Sequence, residues 1–212
     1  MNVGLILSGG RGSRFGSALP KQYHMLNGKM VIAYVADALA RANSVDKIVF
    51  VGDNEEPALK NLACQYGGAV AGGGKTRNLS LQNGLDFVHM NFDCENIMIF
   101  DAVRPMVNSA MIDRYFQLLR TGYDAVITAQ EITDSLGCRD CWRLDRSRYY
   151  LMQSPEAYRF EMLYKYFDKD SLYTEVLHHM PDTANAYLNF DFTNNIKLTY
   201  DWELDYLSAL LK

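Results

Sequence analysis

The chain has little that would carry it into a membrane or lock it covalently. No apolar run approaches the roughly 20 residues that a membrane-crossing helix needs. The first apolar stretch starts at once, breaks at Ser8 and has no basic leader, so a strand rather than a secretory signal is expected. The expected location is the cytoplasm. Cysteine is scarce, with Cys64, Cys94, Cys138 and Cys141 the only four in 212 residues. Only Cys138-Arg139-Asp140-Cys141 has a suggestive spacing. A zinc site would want a second pair or spaced histidines, and His178-His179 is adjacent, so reduced thiols in a connecting arm are expected. A basic excess is also missing: 21 Lys and Arg against 25 Asp and Glu give a formal charge of −4. That balance argues against a nucleic-acid binder. Internal repeats and low-complexity segments are lacking too.

What is there suffices for a core. Hydrophobic residues make up 49% of the chain, and its length suits a single domain over residues 1–212 with a small appended arm. Apolar patterning alternates between short continuous runs and helical spacing. Strands are expected at 3–7, 47–51, 69–71, 96–100, 124–129 and 195–199. Helices are expected at 30–42, 57–66, 76–90, 108–119 and 160–167, with a last one at the C-terminus behind a Thr199 cap. This rhythm predicts an α/β fold of Rossmann-like type, with a mostly parallel central sheet and helices on both faces. It breaks over residues 131–152, which are polar, arginine-rich and aromatic. That stretch reads as a protruding β-arm that pairs two copies into a homodimer.

The chemistry gathers in loops. Leu7-Ser8-Gly9-Gly10 leaves the first strand, Gly12 follows, and Arg14 and Lys21 supply positive charge. Bare backbone can bring its N–H groups close to anionic oxygens. Two cations nearby suit a nucleoside triphosphate and the charge that develops during attack on phosphorus. The glycine spacing is one residue too long for a dinucleotide fingerprint, and Gly74-Lys75-Thr76 lacks the upstream glycine of a P-loop. Asp101 follows a buried strand, where α/β folds bind ligands, and could hold Mg²⁺; Arg104 is placed for a substrate phosphate.

Ser8-Gly9-Gly10-x-Gly12-x-Arg14 followed by Pro20-Lys21-Gln22 resembles the signature of the sugar-phosphate nucleotidyltransferases. The Pro-Lys-Gln-Tyr form is similar to the branch making CDP-linked polyols, which holds the methylerythritol-phosphate and ribitol-5-phosphate cytidylyltransferases. Gly73-Gly74-x-x-Arg77-x-x-Ser80 resembles the family's nucleotide-side motif; there Ser80 would contact base or ribose and Arg77 would order the loop. Asp101-Ala102-Val103-Arg104-Pro105 and Asn195-Ile196-Lys197-Leu198-Thr199 resemble two further motifs, the second placing Lys197 near the reacting phosphates. Asp134-Ser135, Asp145-Arg146 and Ser154-Pro155-Glu156 align with family segments reading Asp-Thr, Asp-Arg and Thr-Pro-Gln.

The resemblance implies a nucleotidyltransferase fold and transfer of CMP from CTP to a polyol phosphate, with Mg²⁺ on Asp101. Arg14, Lys21 and Lys197 would be catalytic. Asp101, Arg104, Ser135, Arg146, Ser154 and Thr174 would hold the acceptor, with the arm reaching across a dimer. The two serines, the Val103 form and Asn194 in place of a family Asp favour a ribitol-5-phosphate-like acceptor for surface glycans. Methylerythritol 4-phosphate of isoprenoid synthesis is the alternative acceptor. Asp191 could compensate for Asn194. A non-catalytic nucleotide-binding protein is the alternative from another class.

Overall fold

A computed structural model describes residues 1–10 and 12–211 of the chain. Arg11 of the glycine loop lies outside the described residues. A seven-stranded sheet runs in the order β5-β4-β1-β6-β8-β7-β9. Its strands are β1 (Asn2–Leu7), β4 (Lys47–Gly52), β5 (Ala69–Gly72), β6 (Asn96–Asp101), β7 (Ala125–Glu131), β8 (Tyr150–Arg159) and β9 (Ala186–Asn189). A separate two-residue ladder pairs β2 (Met25–Leu26) with β3 (Lys29–Met30). β1 pairs in parallel with β4 and β6, β4 with β5, and β7 with β9; β8 runs antiparallel to both its neighbours, β6 and β7.

Alternation along each buried strand sends side chains to opposite faces. Ile6, Phe50, Met98 and Phe100 join one apolar cluster, with α1 (Val31–Arg41), α2 (Pro57–Gln65) and α4 (Ser109–Arg120) packed on it. Leu5, Val49, Val51, Ile97 and Ile99 face the other, with α3 (Arg77–Asn91) and α5 (Phe160–Tyr166). A third, smaller cluster joins Phe15, Leu26, Val103 and Leu198 to Leu207 of α6 (Glu203–Leu210). Helix starts follow the local chemistry. Thr76 accepts from the Leu79 N–H at 3.1 Å and Asn108 from the Met111 N–H at 3.0 Å. Pro57 occupies the first turn of α2.

The parallel half and the helices on both faces match the expected class. Within that class, individual elements of the other half differ from expectation. Residues 195–199 form no strand; they run irregularly beside the loop after β6, tied by the Leu198 N–H to the Val103 carbonyl at 2.9 Å. Thr199 does not cap the last helix. Instead its N–H and that of Tyr200 both donate to the Glu203 carboxylate. β7 and β8 form a hairpin whose outer ends pair Glu131 with Tyr150. Between them, residues 132–149, all described, carry one short 3-10 turn, Arg146–Arg148, and no strand. The strand content assigned to the arm therefore belongs to the central sheet. Among the described residues, no helix is long and apolar enough to cross a membrane.

Candidate active site

An open cleft of about 1190 Å³ lies at the carboxyl edge of β1, β4 and β6, the edge where such sheets bind ligands. Its floor is made of backbone. Ser8 hooks onto β4, its N–H and its Oγ each donating to the Val51 carbonyl at 2.8 Å. Gln22, buried, donates from Nε2 to the carbonyls of Ser8 (2.6 Å) and Gly10 (3.1 Å), which fixes the loop's outline. Gly12 has φ +66°, a conformation that glycine adopts without strain. A Cβ on Gly52 would stand 2.7 Å from Ser8 Oγ, and one on Gly74 2.5 Å from Leu79 Cβ, so these turns close only on bare backbone.

Leu7, Ser8, Gly9, Gly10, Gly12, Arg14 and Lys21 all line this cleft, as do Gly73, Gly74, Arg77 and Ser80. Ser80 is nearly buried, and its Oγ accepts from the Gly74 N–H (3.0 Å) and donates to the Thr76 carbonyl (2.9 Å). It stitches the glycine turn to the start of α3. Arg77 ties down a loop other than that of its own motif: Nη1 donates to the Thr174 carbonyl at 2.5 Å.

Asp101 ends β6 at the centre of the site. Lys197 Nζ donates to its Oδ2 at 2.8 Å, Arg104 Nε stands 3.6 Å from the same oxygen, and Arg77 Nη2 lies 3.9 Å from Oδ1. Burial opposes ionisation of this carboxyl, but Lys197, Arg77 and Arg104 outweigh it and hold its pKa at about 2. Lys21 donates from Nζ to the Leu198 carbonyl at 2.6 Å. Its pKa is lowered by burial, then by the neighbouring Lys197 and Arg14 charges, which means the site stores unmet positive potential.

The expected acceptor residues divide. Lys197 and Asp101 line the cleft. Arg104 is 8% exposed and donates from Nη1 to the Asn195 carbonyl at 2.6 Å, so it braces the 195–199 segment instead of presenting its guanidinium to a ligand. Ser154 is 5% exposed, its Oγ accepting from the Asp101 N–H at 2.7 Å; it positions Asp101 from beneath. Thr174 is exposed, its carbonyl held by Arg77. Ser135 and Arg146 do not line the cleft of their own chain. Arg146 donates to the Thr133 (2.7 Å) and Asp134 (3.2 Å) carbonyls beside a separate hollow at the base of the 132–149 loop.

Sequence reasoning missed the inner supports. Gln22 stood inside the Pro-Lys-Gln motif without a role of its own. Asn195 donates from Nδ2 to the Gln153 side chain (2.9 Å) and the Ser154 carbonyl (2.7 Å). Asn78 donates to the Ser171 (3.2 Å) and Tyr173 (2.8 Å) carbonyls. Glu156 is buried on β8, with burial pushing its carboxyl up against the opposing pull of the Tyr158 hydroxyl and Arg77. Glu156 follows Gln153, Ser154 and Pro155 in a stretch without strand patterning, so the sequence carried no signal for it.

The donor set does not fit a metal held by the protein. Asp53, Glu56 and Asp101 line the cleft; a cation on Asp101 would have to displace Lys197 and face two arginines. Asn194 is exposed, and Asp191 pairs with Arg114 at 3.2 Å, so it does not compensate. Among the described residues no group of three or more His, Cys, Asp or Glu side chains could hold a metal ion.

Solved structures share the fold. A crystal structure of 4-diphosphocytidyl-2C-methyl-D-erythritol synthase from Anaerococcus prevotii superposes with a TM-score of 0.83 at 23% identity, covering 99% of this chain and 95% of that one. The 2-C-methyl-D-erythritol 4-phosphate cytidylyltransferase of Bacteroides fragilis is 30% identical, with 98% of each chain covered. That of Porphyromonas gingivalis is 31% identical over 98% of this chain and 96% of its own length. The names of these relatives match the alternative acceptor, methylerythritol 4-phosphate, better than the ribitol-phosphate reading. Of the residues behind the ribitol-phosphate reading, Val103 lines the cleft, whereas Ser154 is an internal brace, Ser135 faces solvent and Asn194 stands outside it. The family model described as IspD: 2-C-methyl-D-erythritol 4-phosphate cytidylyltransferase matches residues 3–208, and the chain, a cytidylyltransferase, belongs to that family.

Proposed function

We propose that the chain transfers the cytidylyl group of CTP to 2-C-methyl-D-erythritol 4-phosphate, releasing pyrophosphate. A family match spanning 3–208, on a cleft that gathers Arg14, Lys21 and Lys197 around a bare-backbone loop, is the observation that carries this reading. A phosphate oxygen of the acceptor attacks the α-phosphorus of CTP. The bond from that phosphorus to the oxygen bridging to the β-phosphate breaks, and the electron pair leaves with pyrophosphate. Catalysis of this kind is positioning plus neutralisation of developing charge. Lys21 and Arg14 meet the negative charge on the α-phosphate and leaving group, and Lys197, released from Asp101, meets the incoming phosphate. The amides after Ser8 take triphosphate oxygens. CTP arrives as its magnesium complex. Two chains pair through residues 132–149, so that Ser135 and Arg146 of one copy serve the cleft of the other.

The test is pyrophosphate release with CTP or UTP against methylerythritol 4-phosphate and ribitol 5-phosphate. Fastest turnover is expected with CTP and methylerythritol 4-phosphate. Higher kcat/KM for ribitol 5-phosphate would overturn the acceptor. CTP binding without turnover on either would leave a nucleotide-binding protein.

A further inference from the structure

Glu156 is a buried carboxylate in the middle of the sheet, opposite Ile99 of β6 and Ile127 of β7, and 4% exposed. Charge at such a place is costly unless it is paired. One oxygen, Oε2, accepts from the Tyr158 hydroxyl at 2.5 Å. The other, Oε1, faces Arg77 Nη2 at 4.0 Å. That guanidinium also stands 3.9 Å from Asp101 Oδ1 and donates to the Thr174 carbonyl. Arg77 thus spans three places: the buried strand, the cleft and the loop over residues 171–175. Asn78 next to it holds the same loop through the Ser171 and Tyr173 carbonyls. A planar guanidinium can serve several acceptors at once in a fixed fork, which an ammonium cannot.

We infer that Glu156, itself fixed by Tyr158, is a positioning residue that aims the cleft-lining Arg77 and through it holds the 171–175 loop, setting affinity for the phosphorylated acceptor. This rests on the proposed reaction. Glu156 touches neither substrate; its influence passes through Arg77. Loss of its charge removes the pull that balances Asp101, which draws the guanidinium toward the cleft and away from Thr174. The nucleotide loop, held separately by Gln22 and Ser8, is unaffected.

The experiment compares Glu156→Gln, Arg77→Lys and the double variant by steady-state kinetics, with hydrogen exchange on the 171–175 amides. Glu156→Gln is expected to raise KM for methylerythritol 4-phosphate about fivefold, while KM for CTP stays within about twofold. In the Arg77→Lys background the same change should have under about twofold effect, because the intermediary is gone. The 171–175 amides should exchange faster in Glu156→Gln. Equal losses in both backgrounds, or a rise in KM for CTP as large as that for the acceptor, would overturn the inference. Unchanged exchange would overturn it even in a protein that turns over no acceptor, an outcome that separately sinks the proposed reaction. Should Glu156→Gln fail to fold, Tyr158→Phe removes only the hydroxyl and must shift acceptor KM and loop exchange in the same direction.

Discussion

Lys21 and Leu198 meet at 2.6 Å, ammonium to carbonyl, across 177 positions of sequence. Resting on a neutral carbonyl, the lysine keeps a full charge for a phosphate oxygen, and the 195–199 segment sets where that charge waits. Lys21→Ala should lower kcat by about 10²–10³, as loss of other preorganised charge donors does. Single-turnover measurement of CMP transfer checks this; near-normal turnover would remove Lys21 from its role.

The lowered pKa of Lys21 has a sign that kinetics can read. Burial and the Lys197 and Arg14 charges favour the neutral amine, so its charge is lost at a lower pH than for an ordinary lysine. The alkaline limb of kcat/KM for CTP should therefore fall below the usual lysine range. Lys21→Arg should move that limb upward, and an unmoved limb would assign it to another group.

Asp101 works in the opposite sense. Its folded pKa of about 2 lies below the ordinary aspartate value of 3.8, so it adds stability above the unfolded pKa. That stability is lost as pH falls through the folded value. The contribution at neutral pH is about 2 kcal/mol. Urea unfolding at pH 7 and pH 2.5 should show a smaller acid loss in Asp101→Asn than in the parent.

Legibility varied along the chain. The parallel half could be read because each of its strands is a continuous apolar run between loops, as in β4 and β6, and because Thr76 and Asn108 announce their helices. β8 was hidden by composition: Gln153, Ser154, Pro155 and Glu156 look like a loop, yet they occupy a strand whose polar groups are spent on Asp101, Asn195 and Tyr158. The cleft-lining loops were legible because glycine and lone cations stand out in a sequence. For Arg104 the sequence shows a charge but not its burial, nor the Asn195 carbonyl to which Nη1 donates. Ile196 and Leu198 gave 195–199 the look of a strand, but Leu198 bonds to the loop after β6 and not to a sheet partner.

Gln22→Ala strips the side-chain amide that donates to both the Ser8 and the Gly10 carbonyls. About 1–3 kcal/mol of stability should go with it, the cost of leaving buried acceptors unpaired. KM for CTP should rise about tenfold while KM for the acceptor holds, about 1.4 kcal/mol of nucleotide binding, which separates this support from the one at Glu156. Thermal unfolding and initial rates measure the two effects.

Pairing of chains through residues 132–149 predicts a dimer by sedimentation at micromolar concentration. Arg146→Ala should weaken acceptor use, and mixing it with Lys21→Ala should restore activity in heterodimers that keep one intact cleft. Failure of the mixture to recover activity would confine each cleft to its own chain.

The reversed strand has a wider consequence. With β8 turned against its neighbours, the chain leaves β7 and returns at the same rim that carries the glycine loop and Asp101. An insertion there can lengthen, shorten or change charge without passing through the apolar layers or the nucleotide cradle.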